Sequence, residues 1–230
     1  VWGAATRLSA GSNVPPRHLR SSALTALRET PARVVVLASG TGSLLQSIIA
    51  ATSSESYPAC IVAVGVDRDC DAARRADEAG IPNFRIGLKD CADRAQWDIA
   101  LTEAVLGHEP DLIVTAGFMK ILGAAFLGAF AGRIVNTHPA LLPSFPGAHA
   151  VRDALDHGVK LTGSTVHLVD SGVDTGPILA QEAVPVLDGD DEAALHERIK
   201  TVERRLLVDV IAAVATTGVT SDGRKAQIIR

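Results

Sequence analysis

Asn136 and His138 stand two residues apart, directly after the short apolar run Ile134-Val135. If that run is a strand, both side chains project to the same side of it. An asparagine amide can donate a hydrogen bond to a developing oxyanion, and an imidazole can take up or release a proton near neutral pH. A carboxylate able to orient His138, or to favour its charged form, follows as Asp174 in Asp174-Thr175-Gly176-Pro177. Between them lie Pro139, Pro143, Pro146 and Gly147, which exclude helix and central strand and fix a loop. An oxyanion donor, a proton carrier and an orienting acid suit acyl transfer, so Asn136, His138 and Asp174 form the candidate catalytic set.

A second cluster, Ser39-Gly40-Thr41-Gly42-Ser43, follows the first apolar run and opens an amphipathic one. Backbone N–H groups at such a helix start can bind an anion such as phosphate. The segment is not a P-loop, since no Gly-Lys-Ser/Thr occurs, and Leu45 stands where a dinucleotide motif has its third glycine. Phosphate site and ordinary tight turn both remain open, and Asp67 keeps a nucleotide-binding reading in view. His149, after Gly147, could line a cleft. His167 reads as a satisfied, half-buried strand residue, and His18, His108, His157 and His196 as surface or helix-end residues. No grouping has metal-ligand spacing, so no metal is expected. No Gly-x-Ser-x-Gly elbow occurs, and Ser144 lies between prolines without an obvious base. The three cysteines, Cys60, Cys70 and Cys91, read as idle thiols of a reducing cytoplasm.

These residues need a scaffold, and from Arg33 onward short β-branched runs alternate with amphipathic stretches, the pattern of βαβ units around a parallel sheet. Arg33–Ala38, Cys60–Val66, Asp111–Ala116 and Ile134–Asn136 read as strands. Leu44–Ala51, Asp71–Ala79, Ala92–Leu106 and Ala148–Asp156 read as helices. Leu161–Val169 and Ile178–Val186 read as an antiparallel addition. A long helix begins at Asp191, with Leu195, Ile199, Val202, Leu206 and Val210 on one face. Asp222-Gly223 is a hairpin turn signal within Val219–Ile229. At 230 residues the chain has room for one well-buried core. A net charge of −4 gives no general attraction to nucleic acid or anionic lipid, and no run reaches the roughly 18 apolar residues of a membrane span. The first 32 residues carry Arg7, Arg17, Arg20 and Arg28 and no acid before Glu29. That composition fits either a transit peptide or an extended start or vector-adjacent tail. The expected division is an extension over 1–32, a main domain over 33–218 and a tail or ribbon over 219–230.

Together these motifs resemble the glycinamide ribonucleotide formyltransferase family. The resemblance runs from Val34 to Thr216 and rests on Ser39–Ser43, Ala116-Gly117-Phe118-Met119-Lys120-Ile121-Leu122, Asn136–Gly147 and Asp174–Pro177, in family order and spacing. It implies an α/β, Rossmann-like formyltransferase fold, mostly parallel with helices on both faces and an antiparallel C-terminal addition. It also implies transfer of a formyl group from 10-formyltetrahydrofolate, a cosubstrate, to the amine of glycinamide ribonucleotide in purine synthesis, with no acyl-enzyme and no metal. By the same resemblance Asn136, His138 and Asp174 are catalytic. Gly42, Ser43 and Leu44 contact the substrate phosphate and Glu203 its ribose, while Arg94, Met119, Lys120, Ile121, Leu122 and Asn136 contact the folate. Leu44 stands where relatives commonly have asparagine, and Lys120 where they frequently have arginine. The implied protein is cytoplasmic, a monomer or homodimer, with small-molecule partners and neither nucleic acid nor membrane. A formyltetrahydrofolate hydrolase and, from another class, a nucleotide-binding oxidoreductase or sensor are the alternatives.

Overall fold

The computed structural model describes residues 22–24 and 31–229. In chain order its elements are β1 (Ser22–Leu24), β2 (Ala32–Ala38), α1 (Ser43–Thr52), β3 (Ala59–Val66), α2 (Asp71–Glu78), β4 (Asn83–Arg85) and α3 (Arg94–Leu106). There follow β5 (Leu112–Thr115), α4 (Ala124–Ala129), β6 (Ile134–His138), α5 (Ala150–His157), β7 (Leu161–Leu168), β8 (Ile178–Pro185), α6 (Glu192–Thr217), β9 (Val219–Ser221) and β10 (Ala226–Ile228). The expected arm over 1–32 lies, apart from 22–24 and 31–32, outside the described residues.

The main sheet has the order β4-β3-β2-β5-β6-β7-β8. Its first five strands run parallel, and β7 and β8 join antiparallel. Alternation along β2 divides the core. Val34, Val36 and Ala38 point to the face covered by α1 and α6, and Val35 and Leu37 to the face covered by α3 and α4. Both faces are dry, which is why β2 and β5 are apolar without a polar alternation. Asp191 caps α6 by accepting the Ala194 N–H at 2.7 Å, and Leu195, Ile199, Leu206, Leu207, Val210, Ile211 and Val214 bury its apolar face. A separate antiparallel sheet joins β1, β9 and β10.

The mostly parallel sheet with its antiparallel extension matches the expected fold class. Element ends differ where a cap decides them. Helix α3 starts at Arg94, not Ala92, because Asp93 accepts the Gln96 N–H at 2.8 Å. Helix α5 starts at Ala150, because its N-cap His149 has non-helical backbone at φ −119° and ψ 22°. Strand β4 and helix α4 had no sequence signal, since three and six residues are too few to show a period.

From β2 the chain moves outward through β3 and β4, then returns to place β5 on the other side of β2. The loops after β2 and β5 therefore diverge and open a crevice at the carboxyl ends of the strands, where ligands of open α/β sheets bind.

Candidate active site

A cleft of about 700 Å³ occupies that crevice. Its walls include Gly40–Leu44 after β2, 115–122 from the end of β5, Asn136–Pro139 at the end of β6, and Glu192, His196, Lys200 and Glu203 from α6. Spacings of four, four and three put those four α6 residues on one face of the helix.

The loop after β2 forms the anion-facing wall. Gly42, the N-cap of α1, has φ +68°, and a Cβ there would lie 2.9 Å from the Ala72 Cα. Glycine is required on both counts. Because Gly42 has no side chain, the first-turn N–H groups of α1 have no side-chain cap and remain available to an anion. Leu44 is buried in the core beneath the loop, so its contribution to the wall is its backbone. Arg75 supports the loop from α2, donating to the Thr41 carbonyl at 2.8 Å.

On the opposite side, the loop after β5 is held at three points. The Met119 N–H donates to Ser39 Oγ at 2.8 Å, Lys120 pairs with Asp67 at 2.9 Å, and Arg94 Nη2 donates to the Ile121 carbonyl at 2.5 Å. Lys120 is thus tied to the end of β3. Arg94 stands outside the cleft wall, over the Trp97 ring. Asp67 has its pKa lowered to about 2: burial pushes it up, but Arg68, Lys120 and Ser39 outweigh that. The buried Asp98 on α3 accepts the N–H groups of Gly123, Ala125 and Phe126 at 2.7, 2.8 and 3.3 Å, and so caps α4. These anchors leave Met119 and Ile121 largely exposed at the cleft rim.

At the floor, the structure brings Asn136, His138 and Asp174 together. His138 Nδ1 lies 3.3 Å from Asp174 Oδ2, and His138 Nε2 donates to the Phe145 carbonyl at 2.8 Å. The same carboxylate oxygen accepts the Gly147 N–H at 2.8 Å. Asp174 and Phe145 both have φ +53°, a conformation that the surroundings must hold in place for a residue other than glycine. Burial raises the Asp174 pKa, but the His167 side chain, the Gly147 N–H and the charge of His138 leave it below the ordinary value. The loop that carries Phe145 and Gly147 is pinned from β7 and β8. Thr165 Oγ1 donates to the Ala140 carbonyl at 2.6 Å, and Gln181 Nε2 donates to the Leu142 carbonyl at 2.8 Å.

Asn136 is flanked by residues from neighbouring strands. Thr115 Oγ1 lies 2.6 Å from its Oδ1 and His167 Nε2 lies 3.1 Å from its Nδ2. His167 therefore belongs to the site, because β7 pairs directly with β6 and sets it opposite Asn136. Its Nε2 is also 3.6 Å from Asp174 Oδ1. It cannot accept from one and donate to the other at once, and the contact to Asn136 is the shorter of the two. His196, expected at the surface, also lines the cleft, and its half-buried position beside Lys200 lowers its pKa. Thr137 Oγ1 donates to Glu203 Oε1 at 2.9 Å, and burial raises the Glu203 pKa. Thr115, His167 and, on α6, Glu192, His196 and Lys200 were missed because their signal is the register of neighbouring strands and the docking of α6.

Among the described residues, no group of three or more His, Cys, Asp or Glu side chains could hold a metal ion. No described helix is long and apolar enough to cross a membrane.

Residues 32–211 match the formyl transferase family. A phosphoribosylglycinamide formyltransferase of Mycobacterium tuberculosis is 64% identical over 200 residues, spanning 87% of this chain and 93% of the relative. The crystal structure of glycinamide ribonucleotide transformylase 1 from Symbiobacterium toebii superposes with a TM-score of 0.84 at 40% identity, covering 86% of this chain and 94% of that one. A formyltetrahydrofolate deformylase from Pseudomonas syringae pv. tomato shares the fold at a TM-score of 0.81 and 26% identity, with 88% of this chain and 67% of that one aligned. Matched by the family over most of its length and by a close relative of nearly the same extent, the chain belongs to the phosphoribosylglycinamide formyltransferases of the formyl transferase family.

Proposed function

We propose that this protein transfers the formyl group of 10-formyltetrahydrofolate to the amine of glycinamide ribonucleotide, yielding formylglycinamide ribonucleotide and tetrahydrofolate in de novo purine synthesis. The observation that carries the reading is one continuous cleft with an uncapped helix start at one wall and Asn136, His138 and Asp174 at its floor. The helix start suits the phosphate of the acceptor, through the N–H groups of Gly42, Ser43 and Leu44, with Lys200 on the facing wall. Glu203 suits ribose hydroxyls, which can donate to the carboxylate oxygen that Thr137 leaves unused. The apolar rim at Met119 and Ile121, with Lys120 and Leu122 between and after them, suits a flat folate ring. Arg94 serves that subsite by holding the Ile121 carbonyl.

The donor supplies a formyl group on an amine nitrogen that can leave. The acceptor amine forms the new C–N bond, the bond to the folate nitrogen breaks, and the proton lost by the amine passes to that nitrogen. Asn136 donates an N–H to the formyl oxygen as negative charge grows on it. His138 has both ring nitrogens engaged in the free protein, so it reaches the oxyanion by exchanging the Phe145 carbonyl for it. Asp174 stays ionised and holds the charged imidazole, and the amine proton reaches the folate nitrogen through solvent water that the carboxylate orients. Fixing both substrates in one cleft supplies much of the remaining acceleration. The same reading places the protein in the cytoplasm as a monomer or homodimer with small-molecule partners.

A donor labelled with 13C in its formyl group tests the reaction by where the label goes. We expect the label on the acceptor nitrogen, with formate absent. Label recovered as formate, at a rate indifferent to the acceptor, would make the protein a hydrolase.

A further inference from the structure

Thr115 on β5 is the register partner of Asn136 on β6, which is in turn the partner of His167 on β7. The three side chains form one polar row across the sheet at the floor of the cleft. The direction of its hydrogen bonds is dictated from the β7 end. His167 Nδ1 lies 2.9 Å from the Leu168 carbonyl, which can only accept, so Nδ1 carries the hydrogen. Nε2 accepts at 3.1 Å from Asn136, and the 2.6 Å contact on the other side of the amide has the length of an O–H···O bond and is short for N–H···O, so the Asn136 atom facing His167 is the amide nitrogen. The Asn136 carbonyl oxygen accordingly faces Thr115, whose hydroxyl donates to it at 2.6 Å. One amide hydrogen is used by His167, and the other is left for the cleft.

Resting on the transfer reaction proposed above, we infer that Thr115 is a positioning residue whose hydroxyl fixes the Asn136 amide with an N–H toward the reacting carbonyl. Without that donor the amide carbonyl lacks its partner and the amide rotation is held from one side only. A flipped amide would turn its carbonyl oxygen to the developing oxyanion, where like partial charges repel. The hydroxyl is committed to Asn136 Oδ1 and the Val135 carbonyl, so its effect is expected in the chemical step and not in binding. Thr115 is itself buried, with its contacts confined to the sheet end.

The test compares Thr115→Val, which keeps the β-branched shape and removes the donor, with Thr115→Ser, which keeps the donor. Thr115→Val should lower kcat about tenfold with both KM values within about twofold of wild type, and Thr115→Ser should restore most of the loss. Wild-type kcat in a folded Thr115→Val protein would overturn the inference while leaving the transfer reaction standing. Equal losses of kcat and melting temperature in the valine and serine variants would also overturn it, by making Thr115 a packing residue. If the wild-type protein shows no acceptor-dependent turnover, the reaction itself fails and this role with it.

Discussion

At Glu203 burial works against the charge of a single carboxylate. A carboxylate whose pKa is raised by burial favours the folded state in its neutral form. Its stabilising contribution is present at low pH and lost as pH rises through the raised value. At neutral pH the folded protein therefore carries a penalty that ribose hydroxyls would relieve. Glu203→Gln keeps an oxygen for the Thr137 hydroxyl and removes the charge. Its melting temperature should rise by about 2–4 °C, equivalent to about 1 kcal/mol in a domain of this size, while the acceptor KM rises about tenfold and the donor KM is unchanged. Thermal melts and steady-state kinetics check it, and a lower melting temperature with an unchanged acceptor KM would contradict it. Glu203 reached attention through the family resemblance, whereas Asn136, His138 and Asp174 were legible from residue chemistry. Their types, the two-residue spacing and the proline-rich loop state their chemistry locally. His167 and Thr115 were not legible, because a histidine or threonine in a β-rich run looks structural until its cross-strand neighbour is known.

At the scale of elements, two carboxylates hold the loop after β5. Asp98 reaches from α3 to the start of α4, and a Cβ at Gly123 would collide with that carboxylate. Asp67, at the end of β3, pairs with Lys120 at 2.9 Å and with Arg68 at 2.8 Å. Its pKa, lowered to about 2, gives a signed prediction. The stabilisation is complete above the ordinary carboxylate value near 4 and is lost as pH falls toward about 2. Asp67→Asn should lower stability at neutral pH by about 1–2 kcal/mol, with the half-exposed Arg68 partner weakening the effect. Denaturant unfolding at several pH values should show the two proteins converging below pH 4, and parallel curves would contradict the assignment. The sequence placed Asp67 in a nucleotide-binding alternative and Lys120 at the folate. The ion pair between them joins the two positions, and it depends on the facing of two loops that only the sheet order establishes.

At the scale of the molecule, the strand order decides where chemistry is possible. The reversal at β2 and β5 opens the crevice, the antiparallel β7 and β8 and the loop between them bring His167 and Asp174 to its floor, and α6 closes one wall. The strand and helix alternation from Arg33 onward made the class of fold legible, because apolar runs of strand length separated by capped amphipathic segments have few other solutions. The short β4 and α4 were not legible, since tertiary contacts such as the Asp98 cap define them. The most direct test of the account is the absorbance change on deformylation of a 10-formylfolate donor, followed with and without glycinamide ribonucleotide, for wild type and for folded Asn136→Ala. We expect wild-type turnover only with the acceptor and a loss of roughly 100-fold or more in the variant. Acceptor-independent turnover, or near-normal turnover by Asn136→Ala, would contradict the account.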